Sequence, residues 1–143
     1  MNRFEITFGT PVHGWLVVDV SFGDVFISAE VADGLDTITD LLSALYRISN
    51  GSTEEEVAWP NEPDYYVWTF KVIGEQLIFC ITDPNDKKFT FEGELRTSLR
   101  NFVSSLTNLS KNPVWSVDKN QIAWAFEFPY QKLRELDDSI SDV

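Results

Sequence analysis

Two Gly-acid dipeptides, Gly23-Asp24 and Gly74-Glu75, each stand between runs in which every second residue is apolar. That arrangement narrows the fold more than any other feature of the 143-residue chain. A two-residue turn joins only antiparallel neighbours, because a parallel pair needs a long crossover. Leu16, Val18, Val20 and Phe22 share one face before the first turn, and Val25, Ile27, Ala29 and Val31 share one after it. Around the second turn the same alternation runs through Tyr66, Trp68, Phe70 and Val72, then Leu77, Phe79 and Ile81. Shorter alternations predict further strands at Phe4-Ile6-Phe8, Val57-Ala58-Trp59 and Phe89-Phe91, with a last strand over Ile122, Trp124, Phe126 and Phe128.

The period changes twice. Leu35, Ile38, Leu41, Leu42, Leu45 and Ile48 recur at three- and four-residue intervals, so a helix begins near Asp36 and stops at Asn50-Gly51. Asp36 is a candidate N-cap and Asp40 suits the positive end of the helix dipole. Leu95, Leu99, Phe102, Val103, Leu106 and Leu109 form a second stripe over about Glu94 to Leu109, with Glu92 and Glu94 at its start. Pro129 can open a short C-terminal helix carrying Leu133 and Leu136, and the acidic tail over 137–143 is expected to fray.

Strands cluster and no strand–helix–strand alternation appears. The predicted class is therefore α+β, an antiparallel β-sheet of about six to eight strands packed with two main amphipathic helices and a short C-terminal one. The length suits one domain over 1–143, and 43% hydrophobic content supplies a core without metal or disulfide. The strand–Gly-acid–strand–turn–helix order occurs twice, which an old duplication would explain, although the residues match only by class.

The net charge is -12 and lies unevenly. Residues 1–66 hold twelve acidic residues and two basic ones, Arg3 and Arg47, whereas residues 67–143 hold eleven and nine. Such a field repels nucleic acid and anionic membrane and attracts a basic protein partner. Solubility alone is the competing explanation. The start of the chain lacks a basic region with an apolar stretch, and no apolar run reaches membrane-spanning length, so a cytoplasmic location is expected.

Catalytic equipment is sparse. His13 is the only histidine and Cys80 the only cysteine, too few for a usual zinc site and excluding an internal disulfide. Cys80, within Leu77 to Ile81, reads as a small buried hydrophobe, and His13, flanked by Pro11 and Gly14, as an exposed turn residue. No phosphate-binding glycine loop occurs, and Asp83-Pro84-Asn85-Asp86 is a turn lacking the glycine and distal glutamate of a calcium loop. Glu54-Glu55-Glu56 reads as a solvated loop. No cofactor is implied, and the chain is not expected to be an enzyme. A hydrolase using Glu62 or Asp64 ranks last.

What remains is an acidic-aromatic surface. Trp15 and Asp19 fall opposite the apolar face of their strand, and Tyr65 opposite that of its own. With Trp59, Glu62 and Asp64 they form the candidate binding patch, because exposed Trp and Tyr are interface anchors. His13-Gly14-Trp15-Leu16, the Gly23-Asp24 hairpin and Leu35 through Leu42, followed by Trp59, Glu62-Pro63 and Tyr65-Tyr66-Val67-Trp68, resemble the first half of small acidic bacterial proteins. Some of these are read as immunity proteins that neutralise secreted toxins. The resemblance implies a bacterial origin and an inhibitor role, and it carries over no catalytic residue. The expected function is thus a non-catalytic acidic protein-binding module, an immunity-type inhibitor of a basic toxin. The alternative is a small-molecule-binding domain with an apolar pocket between sheet and helices.

Overall fold

A computed structural model describes residues 4–141. Its elements run β1 (Glu5–Phe8), β2 (Trp15–Phe22), β3 (Val25–Ala32), α1 (Thr37–Ser49), β4 (Glu54–Pro60), β5 (Tyr65–Ile73), β6 (Gln76–Thr82), β7 (Lys88–Glu94), α2 (Leu95–Ser110), α3 (Val114–Val117) and α4 (Tyr130–Ser141). The class is α+β. The seven strands form not one sheet but two antiparallel ones, ordered β1-β2-β3 and β4-β5-β6-β7. Both Gly-acid dipeptides make the hairpins their composition demands, closing Phe22 on Val25 and Ile73 on Gln76. The second half carries an extra strand, β7, before its helix, so the two halves differ in strand number.

Alternation decides which side chains go inside. Ile6, Phe8, Leu16, Val18, Val20, Ile27, Ala29 and Val31 turn inward from the first sheet, and Val57, Trp59, Trp68, Phe70, Leu77, Phe79, Ile81 and Phe91 from the second. Aromatic rings bridge the sheets. Phe4 lies 5.7 Å from Phe79 and Phe8 lies 6.2 Å from Trp59, while Phe70 stacks on Phe79 at 5.0 Å. Burying one such side chain contributes about 1.5–3 kcal/mol, and off-face aromatic contacts add about 0.5–1.5 kcal/mol each.

The leucine stripes dock as their spacing predicts, except that Leu35 lies before α1 and stays exposed. α1 packs on β4, α2 packs beside β1 and β7, and α4 spans α1 and α2. Glu94 caps α2, its carboxylate accepting the backbone N–H groups of Arg96 (3.0 Å) and Thr97 (2.8 Å). Asp36 does not cap α1 in this way: its side chain makes no capping hydrogen bond, and its backbone carbonyl accepts from Asp40 N–H instead. Thr37 Oγ1 ties the start of α1 to β4 by donating to the Ala58 carbonyl at 2.9 Å.

Four further expectations need correction here. The last predicted strand, around Ile122 to Phe128, is irregular chain. Its N–H groups go to carboxylates rather than to a ladder: Asp118 accepts from Ile122, Ala123 and Trp124, and Asp33 accepts from Ala125. Trp124 and Phe128 are still buried, but Ile122 is exposed. Glu54-Glu55-Glu56 is not loop but the start of β4, where Glu55 meets Arg47 at 2.8 Å and Ser52 at 2.6 Å. The 137–141 part of the acidic tail is helix, because Ile140 is buried and its carbonyl accepts from Arg96, while Ser139 meets Ser49; 142–143 lie outside the described residues. Cys80 is half-buried on the outer face of the second sheet, as its position between the inward Phe79 and Ile81 dictates.

Among the described residues, no helix is long and apolar enough to cross a membrane.

Candidate interaction surface

The same alternation that buries one face of the first sheet leaves the other to solvent. Successive residues of β2 and β3 point to opposite sides, so Trp15, Val17, Asp19 and Ser21 share an outer face with Phe26, Ser28 and Glu30. Register sets the neighbours: Trp15 faces Ala32, Val17 faces Glu30, Asp19 lies between Thr7 and Ser28, and Ser21 between Glu5 and Phe26. Directly opposed side chains on one face stand about 4.5–5.5 Å apart between Cβ atoms. The face is apolar and acidic in alternation. Trp15, Val17 and Phe26 are exposed at 40%, 41% and 61%, and Glu5, Asp19 and Glu30 stand among them.

No lysine or arginine occurs between Phe4 and Tyr46. The sheet therefore projects its negative charge without internal compensation. Asp19 concentrates the effect: its Oδ1 is enclosed by neighbours and receives no hydrogen bond from a described residue. A desolvated acceptor without a donor is unfavourable by about 1–3 kcal/mol.

The loop between β4 and β5 extends the acidic region at one end. Asn61 Nδ2 donates to the Glu30 carbonyl, and the Asn61 N–H to the Asp64 carbonyl closes the loop at 2.8 Å. Glu62, Asp64 and Tyr65 are all exposed here, with Glu62 lying beside Gly34 at the exit of β3. Behind them, Tyr66 is half-buried. Burial raises its phenol above the usual tyrosine value, and the negative charges of Asp83 and Glu30 push it further in the same direction.

Of the six candidate residues, the structure therefore places Trp15 and Asp19 on the sheet face and Glu62, Asp64 and Tyr65 at its end. Trp59 is no part of the surface. It is fully buried, 4.9 Å from the Trp68 ring, because the inward face of β4 continues through Val57 to position 59. Sequence reasoning missed Phe26, Val17 and Glu30. Once Ile27 and Ala29 are assigned inward, period two puts Phe26 and Glu30 outside, so the signal was available.

His13 sits exposed at positive φ in the turn before β2. Among the described residues, no three His, Cys, Asp or Glu side chains converge as metal ligands would. Between the sheets the rings of Phe4, Phe70, Phe79 and Phe102 pack at centroid distances of 5.0 to 5.4 Å. A surface cleft of about 520 Å³ does open over the irregular segment, walled by Trp115, Phe126 and Tyr130 with Asp118, Gln121 and Glu127 at its margin. Comparisons of the chain with protein-family models, curated proteins and solved structures found no match.

Proposed function

We propose that the chain is a non-catalytic, acidic protein-binding module whose outer first-sheet face docks a basic protein, in the manner of an immunity-type inhibitor of a basic toxin. The observation that carries this reading is the face itself: Trp15, Val17 and Phe26 lie in the open among Glu5, Asp19 and Glu30, in a stretch without one positive side chain. Aromatic anchors supply contact area, and the surrounding carboxylates steer a cationic surface into register. A nuclease groove built to hold phosphates is such a surface, and covering it would exclude substrate.

The test is capture with matched baits. The wild-type chain and an Asp19→Lys/Glu30→Lys variant are compared at low and high salt. The expected result is a basic protein retained by the first bait, released by salt and absent from the second. A partner held equally by both baits, or one that is not basic, overturns the reading.

The cleft walled by Trp115, Phe126 and Tyr130 favours a second reading, a small-ligand site on this irregular segment; another cleft, of about 430 Å³, opens between the β5–β6 turn and α1, α2 and α4. Quenching of tryptophan fluorescence by a small ligand, lost in Trp115→Ala, would support it.

A further inference from the structure

We infer that the outer edge of β3 accepts an extended, lysine- or arginine-bearing segment of the partner protein as a fourth strand of the first sheet. The inference rests on the basic-partner reading above and specifies how the partner binds.

Hairpin geometry fixes which backbone groups are available. Phe22 and Val25 flank the two-residue turn and exchange hydrogen bonds, as do alternate pairs beyond them. The intervening residues of β3, namely Phe26, Ser28 and Glu30, therefore turn their N–H and C=O groups away from β2. Two contacts bear this out: the Val17 carbonyl, opposite Glu30, faces β1 and accepts from Gly9 N–H, and the Glu30 carbonyl faces outward to Asn61. Past Glu30 toward the turn, neither Phe26 nor Ser28 has an outward backbone partner among the described residues.

The other edges are managed differently. On β1, Asn101 and Ser105 of α2 donate to the outward carbonyls of Phe4 and Ile6. On β4, Thr37 occupies the Ala58 carbonyl and the strand ends in Pro60. On β7, Lys88 lies on the edge with Lys87 beside it, a charge that discourages strand pairing and repels a basic segment. On β3 the Glu30 carbonyl alone is occupied, by Asn61; among the described residues none of these devices reaches Phe26 or Ser28. The strand is eight residues long, contains no proline or lysine, and exposes Val25 and Phe26. An edge left so open is a template for another chain.

Charge selects the occupant. A strand added beside Phe26, Ser28 and Glu30 continues the outer face, so its outward side chains lie next to Phe26 and Glu30 and within the field of Asp19 and Asp24. Alternating cationic and small apolar residues complement that face, and the acidic surroundings disfavour a second copy of this chain.

The probe is an acetylated, amidated heptapeptide alternating lysine and valine, compared with the same peptide N-methylated at every second residue. Methylation keeps charge and removes donors from one edge; both registers of methylation are made. The unmodified peptide is expected to bind the full chain, to slow amide exchange at Phe26 and Ser28, and to lose affinity by about tenfold or more when the pairing edge is methylated, as two or three lost hydrogen bonds imply. Ser28→Pro, which removes an outward donor without touching the β2 ladder, should weaken binding similarly, with circular dichroism confirming the fold. If both methylated peptides bind as well as the parent, or if Phe26 and Ser28 exchange unchanged, strand addition is overturned while the acidic-face reading stands. If no cationic peptide binds and Asp19→Lys/Glu30→Lys leaves partner capture intact, both fail.

Discussion

The Asp33 carboxylate accepts the backbone N–H of Ala125 at 2.8 Å, joining the end of β3 to a segment ninety-two residues further along the chain. The same carboxylate lies against Gly14: a Cβ built there would come within 3.0 Å of Oδ1, and Gly14 has φ +83°. Three distant segments meet through one side chain. Hydrogen bonds to a charged group contribute about 1.5–3 kcal/mol. Asp33→Ala is therefore expected to lower unfolding free energy by about that amount, read by urea denaturation, and to increase protease sensitivity over 118–126. Unchanged stability would show that the Asp118 contacts suffice alone.

Acid should loosen the fold through particular carboxylates. Backbone N–H groups, that of Ala123 foremost, hold Asp118 below the ordinary aspartate range. Glu94 is held low mainly by the N–H groups of Thr97 and Arg96, and Glu55 mainly by hydrogen bonds from Arg47 and Ser52. Each depressed group stabilises the folded state fully above its unfolded value, about 3.9 for Asp and 4.3 for Glu. The contribution falls as pH drops from there through the folded value, and below it is gone. Midpoints of thermal unfolding should thus fall below about pH 4, and Asp118→Asn should shallow that dependence.

The fold was legible in the sequence wherever one local rule governs a residue. The hairpins at Gly23-Asp24 and Gly74-Glu75 follow from turn length, and both leucine stripes follow from period. The Ile122–Phe128 stretch misleads because alternation reports only which side chains are buried. Whether its N–H groups bond to a neighbouring strand or to Asp118 and Asp33 depends on partners far away in sequence. Trp59 misleads for the opposite reason: its acidic neighbours Glu62 and Asp64 suggest a surface position, although its parity with Val57 already places it inside. The division into two sheets was not legible, since nothing local says whether β3 hydrogen-bonds to β4 or only packs beside it.

The ring cluster centred on Phe79 should be the least tolerant part of the core. Phe79 contacts Phe4, Trp68, Phe70, Phe91 and Phe102 at centroid distances from 5.0 to 5.7 Å. Truncation leaves a cavity that a β-sheet cannot close. Phe79→Ala is expected to cost about 3–5 kcal/mol, and Phe79→Leu markedly less. A calorimetric scan distinguishes them.

Tyr66 offers a spectroscopic readout of the acidic end of the face. Its phenol is raised first by burial, then by Asp83 and Glu30. Absorbance titration at alkaline pH should show a tyrosine step above the usual tyrosine range. Glu30→Gln and Asp83→Asn should each bring that step down, and Tyr66→Phe should remove it. The raised value favours the neutral phenol in the fold, so this stabilisation persists below about pH 10 and is lost as pH rises through the folded value.

Trp15 and Trp59 separate surface from core by experiment. Trp15 is 40% exposed on the outer face of β2, whereas Trp59 is fully enclosed between Phe8 and Trp68. Trp59→Ala should therefore destabilise by about 3–5 kcal/mol whatever the chain binds. Trp15→Ala should change stability by about 1 kcal/mol or less yet weaken a basic partner by about tenfold or more, the behaviour of an interface anchor. Adding Phe26→Ala should deepen the loss of binding with little further loss of stability, because Phe26 shares the face and contributes nothing to the core. If Trp15→Ala and Phe26→Ala left affinity for a captured basic protein unchanged, the docking surface would have to lie elsewhere, and the exposed aromatics of this sheet would need another explanation.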